Sequence, residues 1–168
     1  VSVEFVRAYL RDPVDGVSVY LGVASDAKYS SPGVVACNPH ATVDHANPDH
    51  KPFLTFMCPT SFEARKVFVK LTDAKSQVLR LCEVVAFGQF SSGSVPGTAG
   101  INRAVLRPAF QTSTWTTRHA QRANDLNTNT NANAGGCSET STQNDPWWRV
   151  DLGRTLRLTR FRLSTRTD

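Results

Sequence analysis

Residues 17–23 read Val17-Ser18-Val19-Tyr20-Leu21-Gly22-Val23, with an apolar side chain at every second position. An extended chain points successive side chains to opposite faces, so Val17, Val19, Leu21 and Val23 share one face of a half-buried strand. The same period of two recurs at Val1, Val3 and Phe5, at Val67, Val69 and Leu71, and at Leu79, Leu81, Val85 and Phe87. Turn-forming residues stand between these runs, at Asp15-Gly16, Ser31-Pro32-Gly33, Asn47-Pro48-Asp49 and Ser91-Ser92-Gly93. Helix-period patterns are scarce. Many short strands with frequent turns predict an all-β fold, an antiparallel sandwich or barrel.

The chain has 168 residues, room for one domain or for parts of two. Hydrophobic residues make up 40% of it, enough for a real core, which excludes wholesale disorder. No run approaches the roughly 18 apolar residues of a membrane-spanning helix, so no membrane span is expected. Residues 1–20 carry Glu4, Arg7, Arg11, Asp12 and Asp15, so no signal peptide is visible there. The opening Val1 reads as a processed start or a fragment. Lys and Arg total 19 against 14 Asp and Glu, a net charge of +5. The basic residues are densest late, at Arg149, Arg154, Arg157, Arg160, Arg162 and Arg166. Such a balance suits an anionic partner. No RNA-binding aromatic motif or zinc-finger spacing accompanies it, so nucleic acid is not an expected partner.

Four cysteines, Cys37, Cys58, Cys82 and Cys137, form an even set without a C-x-x-C pair. That usage points to two disulfides and an oxidising compartment, with three connectivities open, and away from a zinc or thioredoxin-type site.

Two polar tracts interrupt the strand pattern. Residues 89–100, QFSSGSVPGTAG, read as a linker. Residues 124–136 hold asparagine at 124, 127, 129, 131 and 133, side chains that favour irregular turns and offer oxygen ligands to hard cations. The two ends of the chain also resemble each other. RLTRFRLSTRTD at 157–168 aligns with VSVEFVRAYLRD at 1–12, an offset of 156 positions (168 minus 12).

Three further segments carry a family resemblance. They are Asn102-Arg-Ala-Val-Leu-Arg-Pro-Ala109, Ala123-Asn-Asp-Leu-Asn127 and Asn144-Asp-Pro-Trp-Trp-Arg-Val-Asp-Leu-Gly153. Together they resemble the start of an F-type lectin (fucolectin) domain, and the doubled Trp before Arg-Val-Asp-Leu-Gly is the most specific match. Leu81-Cys-Glu-Val-Val-Ala-Phe-Gly88 is similar to the closing run of the same kind of domain. The resemblance implies the C-terminal part of one repeat at 1–88, a linker at 89–100 and the N-terminal part of a second repeat at 101–168. It implies an antiparallel jelly-roll β-sandwich, of which a circularly permuted assembly of two half-repeats is one form. By the same analogy Cys82 pairs with Cys137, and Cys37 with Cys58 across a His-rich loop.

The family is stapled by calcium. Carried over residue by residue, its ligands fall on Asp125, Asn127 and the carbonyls of Arg122 and Gly136, with Glu83 and the Cys82 carbonyl; Ca²⁺ is the expected cofactor. Leu126 replaces the usual Gly, and Gly136 the usual Ser. The family's fucose motif resembles a His, an Arg-x-Asp and a later basic residue, with a vicinal disulfide against the sugar. Arg166-Thr167-Asp168 matches the Arg-x-Asp, and the His position, 27 residues before Arg166, holds Glu139. An ionised carboxylate accepts hydrogen bonds and donates none. The chain ends at Asp168, before the cysteine pair, and in the first half Pro13 and Val14 stand in their place and Val17 in that of the basic residue. Glu139, Arg166 and Asp168 are therefore the carbohydrate-binding candidates of a degenerate motif.

His40, His45 and His50 suggest zinc, but five-residue spacing among prolines puts them on neither one helix face nor one strand face, and a solvated loop is the simpler reading. Trp147 and Trp148 could stack on a sugar; the family pattern makes them core and rim packing instead. No G-x-S-x-G elbow, Ser/His/Asp order or Gly-rich phosphate loop is present, so no enzyme is expected. The function implied is non-catalytic, calcium-stabilised binding of fucose-type glycans by a secreted tandem lectin, with a homo-oligomer left open. Two alternatives stand beside it: a discoidin-like adhesion module for protein or anionic lipid, and an accessory domain of a carbohydrate-active enzyme.

Overall fold

Two long strands organise the molecule. The computed structural model describes residues 17–24, 28, 30–37, 41–44, 53–71, 76–90 and 100–166. In chain order the strands are β1 (Val17–Gly22), β2 (Val35–Cys37), β3 (Ala41–Asp44), β4 (Phe53–Leu71), β5 (Arg80–Leu81), β6 (Glu83–Phe90), β7 (Ala109–Gln111), β8 (Ser138–Glu139) and β9 (Trp147–Ser164), with one 3-10 turn at Ala120–Ala123. Every strand pair is antiparallel. The all-β antiparallel sandwich expected from the alternation is the fold.

β4 and β9 pair from Phe53↔Ser164 to Lys70↔Trp147, with register shifts between Met57 and Phe62 and between Ala64 and Lys66. Such shifts bend a strand and let it pass from one sheet into another. The first half of β4 and the last half of β9 lie between β3 and β6. The last half of β4 and the first half of β9 lie between β1 and β7, with β2 outside β1. Leu54, Phe56, Val84, Ala86, Phe161 and Leu163 from the first layer meet Val19, Leu21, Val67, Val69, Trp148 and Val150 from the second in one core. β5 and β8 form a separate short ladder.

The period of two holds for Val19 and Leu21 and for Val67, Val69 and Leu71, all buried. Val23 falls beyond β1 and is exposed. It fails in the Leu79–Phe87 run. Leu79 and Leu81 enter the core, but beyond the bend at Cys82 the core takes Val84 and Ala86. Val85 is half-buried, and Phe87, though buried, lies outside the main core cluster, its ring covered by the Arg160 guanidinium at 4.1 Å. The bend between β5 and β6 shifts the alternation by one residue, which sends every later side chain to the opposite face. The run Val1, Val3 and Phe5 lies outside the described residues, as do three of the four predicted turns. The fourth is in place: Val34 N–H donates to Ser31 O, and Gly33 has φ +82°.

The disulfides are Cys37–Cys58 and Cys82–Cys137, with no free cysteine. The first ties β2 to the β4 bend. The second joins the stretches before and after residues 89–100. These stretches share one core and one sheet, and Arg103 N–H donates to Ala86 O at 2.8 Å. Two disulfides fit an oxidising compartment. Among the described residues, no helix is long and apolar enough to cross a membrane.

Candidate functional site

The asparagine tract folds into a ladder of side-chain turns. Asn127 N–H donates to Asp125 Oδ1, Asn129 N–H to Asn127 Oδ1, Asn131 N–H to Asn129 Oδ1 and Asn133 N–H to Asn131 Oδ1, at 2.9–3.1 Å. Each is the two-residue turn that Asn and Asp side chains favour. What looks like low complexity in sequence is a repeated hydrogen-bond unit. The tract folds back over the second disulfide, where Thr130 O lies 3.6 Å from Cys137 Sγ and 3.8 Å from Cys82 Sγ. Gly136 makes the fold-back possible, because a Cβ there would lie 1.9 Å from Asn129 O. That contact leaves no room for any side chain at this position. Leu126 has φ +68°, a left-handed conformation that glycine adopts more readily than leucine.

Across the disulfide stands Glu83, the first residue of β6 and almost fully buried. Its Oε1 accepts from Asn102 Nδ2 at 3.4 Å, while its Oε2 is buried with no partner in hydrogen-bond geometry, the Leu126 N–H being close enough only to act on the carboxyl's charge. Burial pushes the Glu83 carboxyl up to about 8, with the negative charge of Asp125 acting in the same direction; the Leu126 N–H and Asn102 pull weakly the other way. Asn102 is fixed in turn, its Oδ1 accepting from Ala86 N–H and Ala104 N–H. Asn124, buried, donates to the carbonyls of Ala104 and Arg107 and so pins the tract to the 104–107 loop. A buried carboxylate with an unpaired oxygen, beside a second carboxylate, is a group that a hard cation would satisfy. Of the candidate cation ligands, Glu83 and Asp125 are close enough for their charges to interact, Asn127 N–H donates to Asp125 Oδ1, and Cys82 and Gly136 sit at the bridge in sequence. Among the described residues no three His, Cys, Asp or Glu side chains cluster as a metal site would.

Glu139 lies two residues from the same disulfide, paired with Arg80 across the β5–β8 ladder. It is buried, and its carboxylate is held from both sides. Arg118 Nη1 donates to Oε2. Arg80 Nε stands 3.0 Å from Oε1 but off the N–H axis, an electrostatic contact rather than a hydrogen bond. Arg118 also donates to Asn133 Oδ1 at 2.8 Å, which ties the clamp to the asparagine tract. The Glu139 carbonyl accepts from Trp115 N–H and Gln111 Nε2, both at 2.9 Å. Arg166 follows β9 by two residues, and Ser164 O at that strand end accepts from Cys82 N–H at 2.8 Å. Glu139 and Arg166 are thus brought to one end of the sandwich. Asp168 lies outside the described residues, as do Pro13, Val14, His40, His45 and His50.

Sequence reasoning missed Arg80, Arg118, Asn102 and the half-exposed Trp115. Asn102 opens a motif segment and carried a signal; the arginines lie far from Glu139 in sequence and carried none. Trp148 is core, with Nε1 donating to Ala120 O at 2.9 Å, while Trp147 sits on the outer face.

Compared with family models, with curated proteins and with solved structures, the chain matches none.

Proposed function

We propose that this chain is a non-catalytic, calcium-stabilised carbohydrate-binding module, resembling a secreted tandem F-type lectin in which parts of two repeats close into one sandwich. The observation that carries the reading is Glu83: a buried carboxylate oxygen without a partner, beside Asp125, at the disulfide that joins the two stretches. Calcium bound there would supply a charge that offsets both carboxylates and would fix the asparagine tract. The chain's own residues do the rest. Asn102 orients Glu83, Asn124 anchors the tract, and Gly136 lets it fold back.

The glycan would meet the end formed by Trp115, Arg118, Arg80, Glu139 and Arg166. An exposed indole beside cationic donors suits a sugar ring, with its apolar face and hydroxyl edges. Glu139 spends its carboxylate on two arginines, which supports a specificity other than the family's fucose mode. A glycan array probed with the chain in calcium and in chelator tests the reading. Calcium-dependent binding to a defined set of glycans is expected. Binding to anionic vesicles or to protein alone, with every glycan negative, would favour the discoidin-like alternative.

A further inference from the structure

The outer face of the layer built on β1, β4, β9 and β7 carries a second set of recognition groups, away from the disulfide end. In-register pairing places Phe68 beside Arg149, and Arg149 beside Phe110. Trp147, two residues along β9, shares that face, since side chains alternate along a strand. Their neighbours Val67, Val69, Trp148 and Val150 point the other way and fill the core. The turn bearing Lys28 and Ser30 stands at the edge of this face. Between them lies a cavity of about 430 Å³ lined by Lys28, Ser30, Phe68, Trp147 and Arg149.

The chemistry of the lining is specific. The Arg149 guanidinium lies over the Phe110 ring at 4.8 Å and over the Trp147 ring at 5.6 Å. Stacking uses the faces of a guanidinium and leaves its in-plane N–H fork for an oxyanion, which that fork binds in bidentate fashion. Lys70, the next cation on this face, is neutralised by Asp145 at 3.2 Å. Among the described residues neither Lys28 nor Arg149 has a carboxylate at ion-pair distance, and no acidic residue lines the cavity. Among the described residues the cavity therefore offers two cations, a hydroxyl and the Trp147 ring, with the buried Phe68 forming its floor, in a volume that fits a small molecule.

We infer that this cavity binds a sugar residue bearing an oxyanion, a carboxylate or a sulfate, with Arg149 and Lys28 on the anion and Trp147 against the apolar side of the ring. The inference rests on the carbohydrate reading above but uses a different face of the molecule. Calcium is not required here, because none of the candidate calcium ligands is among the residues lining this cavity.

Titration calorimetry of the full chain with D-glucuronic acid, galactose 6-sulfate and neutral galactose tests it, with sodium acetate and sodium sulfate as competitors and with chelator present. At least one anionic sugar is expected to bind, and galactose to bind at least tenfold more weakly. The preferred anion identifies the source. Lys28→Gln and Arg149→Gln should each weaken binding by about tenfold or more, the loss of one charged hydrogen bond. Lys28 is exposed on a turn, so its variant decides the matter if Arg149→Gln misfolds. Binding unchanged in Lys28→Gln, or competition by acetate or sulfate as strong as by the sugar, would overturn the site. Absence of acidic-sugar binding beside intact calcium-dependent glycan binding would overturn this inference alone. Failure of every glycan would overturn the reading beneath it too.

Discussion

Cys82 and Cys137 are 55 residues apart in the chain and bonded to each other, with Cα atoms 3.8 Å apart. The bridge holds the end of one sequence segment against the middle of another. It also brings Glu83, next to Cys82, to the asparagine tract that ends at Cys137.

Peptide mapping without reduction should therefore link Cys82 with Cys137 and Cys37 with Cys58. Closing a loop of 55 residues limits the unfolded chain, and replacing both Cys82 and Cys137 by Ser should lower stability by about 4 kcal/mol. Denaturant titration measures it. A Cys37–Cys82 linkage would overturn the single-sandwich architecture.

Calcium should raise the melting temperature, because a ligand that binds only the folded state stabilises it by mass action. Glu83→Gln and Asp125→Asn should each remove most of that increase, since each takes one of the two carboxylates from the site. Differential scanning calorimetry in chelator and in millimolar calcium reads both effects. Coincident curves for the unmodified chain would refute the site.

Acid should weaken the fold through Asp151. Partial burial alone would raise this carboxyl, but the Arg65 guanidinium, donating at 2.9 Å, and the Gly153 N–H hold it below the ordinary value of 3.8. A carboxyl with a lowered folded-state value stabilises the fold above its unfolded value. It loses that contribution as pH falls through the lowered one. The stability gap between the unmodified chain and Asp151→Asn should shrink as the pH drops below about 4. A gap independent of pH would contradict the pairing.

Leu126→Gly should stabilise the protein. The residue is 62% exposed, so little burial is lost, and its φ of +68° is costly for a leucine. Relief of about 1–2 kcal/mol is offset in part by glycine's greater freedom in the unfolded chain, leaving a net gain below about 1 kcal/mol. Urea unfolding of the two chains decides the sign.

Glu139→Ala should cost about 3–5 kcal/mol by leaving Arg80 and Arg118 facing each other without their shared carboxylate. L-fucose should bind the unmodified chain weakly or not at all, because Glu139 supplies no donor and its oxygens are engaged. Tight stoichiometric binding in a calorimeter would show that the sugar contacts lie elsewhere.

Alternation, turn residues and an even cysteine count determined an all-β chain with two disulfides, because side-chain period and thiol pairing are local or compositional properties. The stretch after Cys82, where Val84 and Ala86 rather than Val85 and Phe87 join the main core, marks the limit of that logic. A period of two is legible only until the strand bends, and the bend at Cys82 depends on what the bridge holds. The asparagine spacing was visible in sequence, but its meaning as a ladder of turns needed the backbone. Tertiary structure alone decided that Glu83 is buried beside Asp125, that Arg80 and Arg118 close on Glu139, and that Arg149 stacks on Trp147 and Phe110. Burial and charge pairing are relations among residues distant in sequence, set by which strands lie side by side.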